Sequence, residues 1–225
     1  MRIFSCSIFS LVIYSQGVDV GFAQLNRAKQ IQDIRDQNHN VINASSASTI
    51  FSFENLAKNK NVGLSSFFIL GNEISNIGLT PVLVGKIKVS WNLDLIGRTS
   101  AHSNKNNALN IYGWGLTYKP GKEETVSPWI FGINSGVYRS YNTNRSSSFS
   151  LSILRIVTLD NYSVTLGFST NNVKGVNYSI GQNFQYNFSN FIIGTTINFS
   201  GIKVLPNFTF SSNNSMISIG LQKEF

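Results

Sequence analysis

Cysteine occurs once in the 225-residue chain, at Cys6, histidine twice and proline four times, and charged side chains make up 12%, about half the usual share. A single thiol excludes a disulfide framework and a thiolate metal centre. Two histidines, His39 and His102, are too few for a histidine metal cluster, so neither metal nor cofactor is expected. The scarcity of charge excludes coiled coils, charged disordered tails and most helical enzymes. Apolar runs long enough to cross a bilayer as a helix are also missing. The charge present is lopsided, 18 Lys and Arg against 10 Asp and Glu, a net +8. It is spread without a dense basic cluster, so nucleic acid is not an expected partner. What the chain has in quantity is aromatic and small residues: 17 Phe, 8 Tyr, 3 Trp and 18 Gly, among many Asn and Ser.

Residues 1–23 have the pattern of an export signal. Arg2 supplies the positive start, Ile3 to Tyr14 the apolar stretch, and Gly21-Phe22-Ala23 the small residues before a cut at Gln24. Residues 24–60 are then expected to form a periplasmic lead-in. Leu25, Ala28, Ile31 and Ile34 lie at three-residue steps that suit a short amphipathic helix, able to pack as a plug or simply to lead into the next domain.

From residue 61 the period changes to two. Leu83, Ile87, Val89, Trp91, Leu93 and Leu95 alternate with Lys86, Lys88, Ser90, Asn92 and Asp94, as strand side chains do. The alternation recurs through ten segments: Val62–Leu70, Val82–Ile96, Ala108–Lys119, Val126–Arg139, Phe149–Val157, Tyr162–Thr170, Val176–Phe188, Phe191–Phe199, Ile202–Ser211 and Asn214–Phe225. The polar face is amide and hydroxyl rather than charge: between Lys174 and Lys203 there is no charged residue. A soluble sandwich covers its outer faces with charge. A barrel in lipid instead turns the apolar face to acyl chains and the uncharged polar face inward, and closure spares it the unpaired edge that costs several kcal/mol per backbone group in hydrocarbon.

The last strand strengthens this expectation. Ile217, Ile219 and Leu221 share a face that ends at the terminal Phe225. This resembles the carboxy-terminal strand of bacterial outer-membrane β-barrel proteins, which implies recognition by the barrel-assembly machinery; Lys223 departs from the usual pattern of that strand. The fold expected over 61–225 is therefore all-β, a closed antiparallel up-and-down transmembrane barrel of about 10 strands, range 8 to 12, in the bacterial outer membrane with lipid as its surroundings. With both termini periplasmic, the ten segments put the long polar stretches Gly97–Asn107 and Tyr141–Ser148 on the periplasmic side, where turns are normally short. Either a strand is miscounted or the outer loops are short.

Chemistry is sparse, and no catalytic residue is expected. His102-Ser103-Asn104 is similar only loosely to the arrangement of outer-membrane lipid A deacylases, a His and a Ser with one residue between them followed by Asn, because the intervening residue is missing and neighbours on a strand point to opposite faces. Lys86, Lys88 and Asp94 form the best candidate for a charged lumen. Arg155 joins them if a bulge at Ile153-Leu154 turns it inward and leaves Leu154 and Ile156 outside. The expected function is a structural or narrow pore-forming barrel of unknown ligand. The alternatives are an outer-membrane lipid-modifying hydrolase and an exported soluble β-sandwich that binds a partner.

Overall fold

Residues with alternating character need a second face to bury, and here they find it by curling the sheet on itself. The computed structural model describes residues 47–50, 53, 56–71, 79–104, 107–123, 125–140, 144–159, 162–178, 181–211 and 215–225, all within one unit, Gln37–Phe225; the side chains of 70–71, 79–80, 102–104, 107 and 125–126 are outside the description. The expected leader and the helical stripe of 24–44 lie outside the described residues. The strands are β1 (Val62–Gly71), β2 (Leu79–Ser90), β3 (Leu93–Asn104), β4 (Asn107–Tyr118), β5 (Gly121–Lys122), β6 (Thr125–Val126), β7 (Trp129–Ser140), β8 (Asn144–Thr158), β9 (Tyr162–Asn177), β10 (Gln182–Phe199), β11 (Ile202–Phe210) and β12 (Ser215–Glu224). Ten of them form a closed barrel in the order β1-β12-β11-β10-β9-β8-β7-β4-β3-β2, every pair antiparallel. Strands β5 and β6 make a two-residue ladder in the connection between β4 and β7.

Closure is made by the two ends of the barrel sequence, with Gly63 opposite Glu224 and Gly71 opposite Met216. At the terminal end, where β1 starts and β12 stops, three of the four connections are two- or three-residue turns: 91–92, 159–161 and 200–201. At the far end the longest connection is 72–78. The fourth terminal-end connection, 119–128, carries β5 and β6 and is the longest of the barrel.

The number of barrel strands is as expected, but their division differs. Val82–Ile96 is not one strand: Trp91 and Asn92 form a two-residue turn, and the supposed loop Gly97–Asn107 is mostly the second half of β3. Val176–Phe188 is not one strand either. It is the hairpin between β9 and β10, turned at Gly181 with φ +64°, a left-handed conformation that glycine adopts without penalty. The segments written as Val176–Phe188 and Phe191–Phe199 then share the single long strand β10. The two errors offset each other, and correcting them removes the parity conflict.

The outer wall is apolar. Leu83, Ile87, Trp114, Phe131, Ile133, Leu151, Ile153, Leu166, Phe168, Ile217, Ile219 and Leu221 are all exposed there. Trp91, Tyr118, Trp129, Tyr162, Phe199 and Phe225 sit at strand ends around the terminal mouth, the girdle position for amphipathic rings at a membrane interface. Toward the far end, Phe168, Phe191 and Phe210 pack in tilted, edge-to-face contacts across β9, β10 and β11, with centroids 4.9 and 5.2 Å apart. The interior differs from the expected lining of amides and hydroxyls. Ser146, Ser148, Ser150 and Ser152 of β8 and Thr165, Ser169 and Asn171 of β9 do face in. The opposite side is apolar, with Phe67, Ile69, Val82, Val84, Ile96, Ile111 and Ile130 buried as an internal core. On β10, Phe184, Tyr186 and Phe188 lie on the inward face and Gln185 and Asn187 on the exposed one, the reverse of the face expected for this stretch.

Candidate functional site

The inward faces of β2, β3, β4 and β7 meet a segment that is not part of the barrel wall. The described residues of this segment, 47–50, 53, 56 and 57, lie inside the barrel, with Ala47, Ser48, Thr49, Ile50, Phe53 and Leu56 buried. Ala47, Ile50 and Phe53 join the internal apolar core. A gap of about 30 Å³ remains beside Thr49, Ile50 and Phe53, against Ser150, Asn171 and Met216, which is space of water size.

Two sets of polar groups hold this segment. The first lies midway along the barrel. Arg98 of β3, 4% exposed, donates from Nη1 to the Ser48 carbonyl at 3.0 Å and from Nη2 to Asn134 Oδ1 of β7 at 2.7 Å. The Ser48 and Ser148 hydroxyls are 2.5 Å apart. Backbone contact here requires missing side chains: a Cβ on Gly113 would stand 3.0 Å from the Ser48 carbonyl oxygen, and one on Gly136 would run into it.

The second set is a collar at the terminal mouth. Lys88 Nζ donates to the carbonyls of Ala57 at 2.5 Å and Lys58 at 3.2 Å. The Ala57 amide donates to Glu224 Oε2 at 3.4 Å, and the Leu56 amide to the Asp94 carboxylate. Glu224 is itself held by Lys203 Nζ at 2.8 Å and Gln222 Nε2 at 2.9 Å, and Gln222 Oε1 accepts from Ser65 at 3.1 Å. Asp94 stands among Lys86, Lys88 and Lys119. Just outside the collar, Leu56, Lys58, Lys88, Trp91, Lys119 and Glu123 are among the residues lining a vestibule of about 380 Å³. The Lys58–Glu123 pair at 3.7 Å is exposed and adds little.

The lumen candidates fare differently. Lys86 and Asp94 face inward, 2% and 4% exposed, and Lys88 is half-buried opposite Asp94. Arg155 is not in the lumen. The β8–β9 register runs unbroken through Ile153↔Phe168, Leu154↔Gly167 and Arg155↔Leu166, so the expected bulge is absent; Leu154 is buried inside and Arg155 is exposed on the outer wall. Its guanidinium lies 5.7 Å from the Trp129 ring centroid, and a cation stacked on an interfacial indole near a strand end is tolerable there. Ile217, Ile219, Leu221 and Phe225 line the outer wall, with Lys223 Nζ 5.5 Å from the Phe225 ring. His102, Ser103 and Asn104 fall in the last residues of β3, and their side chains are outside the description.

Sequence reasoning missed Arg98, Lys119, Lys203, Gln222 and Glu224. Reading Gly97–Asn107 as a loop hides Arg98, which lies in β3. With the turn placed at 91–92, the inward series Asp94, Ile96, Arg98, Ser100 shows it.

No protein-family model matches the chain, and no curated protein sequence does either. Solved structures similar to it include the KdgM porin in complex with disordered oligogalacturonate, at 10% identity and a TM-score of 0.42 over 72% of this chain and 99% of that one. The N-terminal β-barrel domain of Pseudomonas aeruginosa OprF is 12% identical with a TM-score of 0.37, over 74% and 98% of the two chains. The attachment invasion locus protein Ail of Yersinia pestis is 9% identical with a TM-score of 0.24, over 73% and 93%. The membrane assignment rests on the wall itself. A closed antiparallel barrel with an apolar exterior and an aromatic girdle is the architecture of outer-membrane proteins, and this chain has it.

Proposed function

We propose that the protein is a narrow outer-membrane pore held shut by its own segment 47–57. The observation that carries this reading is the clamp on Ser48, where a buried arginine grips a backbone carbonyl against two glycines inside the lumen. A wall that bore only a structural load would need no glycines facing an internal strand of chain. In this reading the segment fills the lumen, leaving only a gap of about 30 Å³ beside Thr49, Ile50 and Phe53, and the resting protein does not conduct. The lumen charges left by its withdrawal favour anions: Lys86, Lys88, Arg98, Lys119 and Lys203 outnumber Asp94 and Glu224. No catalytic step is proposed. The face of Ile217, Ile219, Leu221 and Phe225 is the surface we assign to the barrel-assembly machinery.

Planar-bilayer conductance of the full-length protein tests the reading. Wild type is expected to be silent, and a variant lacking 47–57 to conduct with anion preference. A conducting wild type, or a silent deletion variant that still shows a heat-modifiable gel shift, would refute it.

A further inference from the structure

Near the far end of the barrel, the outer wall of β7 to β10 changes character. Cross-strand rows read from the register run Phe131–Ile153–Phe168–Phe191, then Ile133–Leu151–Thr170–Ser189, then Ser135–Phe149–Asn172–Asn187. The next two are Val137–Ser147–Lys174–Gln185 and Arg139–Arg145–Val176–Asn183. The wall therefore passes from hydrocarbon-like to amide and hydroxyl, and at that border it carries Arg139, Arg145 and Lys174, all exposed. Arg139 and Arg145 are paired directly across β7 and β8, a placement in which like charges repel. No ion pair joins any of the three among the described residues. Between Glu124 and Glu224 the sequence holds a single acid, Asp160, in the connection between β8 and β9.

Shape accompanies the charge. A groove of about 610 Å³ opens on this face, and Arg145, Lys174, Tyr178, Asn183 and Gln185 are among the residues lining it. Val137 and Ser147 border it in the row nearer the apolar wall.

We propose that this groove binds the headgroup of a lipid whose phosphate is carried on a sugar, with its acyl chains lying along the apolar rows below. Arg145 and Lys174 hold the phosphate and relieve the repulsion between Arg139 and Arg145; Tyr178 offers a stacking face and the two amides offer hydrogen bonds to hydroxyls. A free phosphate would leave the ring and amides without a purpose, and an uncharged lipid would leave the cations unmatched. The cations also stand at the depth where side chains snorkel to headgroups.

The test uses the full-length protein folded in detergent, with binding read by fluorescence anisotropy of three probes: lipid A, phosphatidylglycerol and phosphatidylcholine, each bearing the same acyl-chain dye. Lipid A is expected to bind most tightly. The double variant Arg145→Gln, Lys174→Gln is expected to bind it about tenfold or more weakly, as loss of charge-assisted hydrogen bonds does. Arg155→Gln, which removes a cation from the same wall outside the groove, leaves binding unchanged. Equal affinity for the three probes, equal binding by the double variant, or an equal loss in Arg155→Gln would each overturn the proposal. So would displacement of lipid A by inorganic phosphate at comparable concentration, which would mark an ion site only. A heat-modifiable gel shift confirms that each variant is folded. A double variant that fails to fold is replaced by Asn183→Ala, Gln185→Ala, whose unchanged lipid A binding would refute the role of the groove.

Discussion

At the scale of single residues, the internal segment is held by contacts that side-chain volume can break. Gly136 faces the Ser48 carbonyl so closely that a methyl group has nowhere to go, since both partners are backbone. Gly136→Val should therefore expel the segment while leaving the wall hydrogen bonds between β7 and β8 intact. The check is a disulfide between Ser48→Cys and Ser148→Cys, whose parent hydroxyls are 2.5 Å apart: it should form readily in an otherwise wild-type chain and be lost when Gly136→Val is added. An undiminished cross-link would show that the segment does not depend on this close approach. Arg98→Ala acts on the same contact by subtraction. It removes a charged donor from the buried Ser48 carbonyl and from the Asn134 amide oxygen, a loss of about 1.5–3 kcal/mol for a hydrogen bond to a charged group. Denaturant titration followed by tryptophan fluorescence should show a lower midpoint, and a midpoint equal to wild type would remove Arg98 from the clamp.

At the scale of strands, what could be read in advance depended on phase. The turn at Trp91 and Asn92 has two residues, and the outward series Ile87, Val89, Leu93, Leu95 keeps its odd numbering straight through it, so alternation carries no trace of the reversal. Neither turn residue is a glycine or proline, and composition is equally mute. The hairpin at Gly181 has the opposite effect. Its four-residue connection puts Val176 outside and Phe184 inside although both are even-numbered, so one continuous apolar series in sequence belongs to two faces in space. Faces were legible wherever no turn intervened, as in β4, β7 and β12; the lumen segment was not, because its partners are inward side chains and glycines of distant strands. The corrected faces are testable by quenching. Single fluorophores at Leu151→Cys and Phe168→Cys should be quenched by brominated acyl chains, and those at Leu154→Cys and Phe188→Cys should not. Quenching at Phe188→Cys equal to that at Phe168→Cys would restore the face originally expected for Val176–Phe188.

At the scale of the whole molecule, the barrel is asymmetric in cross-section, and the asymmetry bears on how its interior is occupied. The serine-rich inner faces of β8 and β9 are small and polar, whereas those of β1 to β4 contribute Phe67, Ile69, Val82, Val84, Ile96 and Ile111. A segment with Ser48 and Thr49 beside Ile50 and Phe53 can satisfy both sides at once, the hydroxyl toward Ser148 and the apolar groups in the internal core. Removing it uncovers apolar surface and a water path together, so loss of stability and gain of conductance should occur in the same variant. The charge left behind then decides selectivity. Lys86 and Lys88 stand near Asp94 by the collar, and with the segment gone Lys88 loses the carbonyl of Ala57 and both face permeating ions. In the background lacking 47–57, Lys86→Ala with Lys88→Ala should shift the reversal potential in a salt gradient toward cation preference, because Asp94 and Glu224 then meet fewer opposing charges. Asp94→Asn in the same background should shift it the other way. Reversal potentials that ignore both changes would place the ion path away from the collar, and an open pore that still excluded ions from this collar could not be the lumen described by the wall.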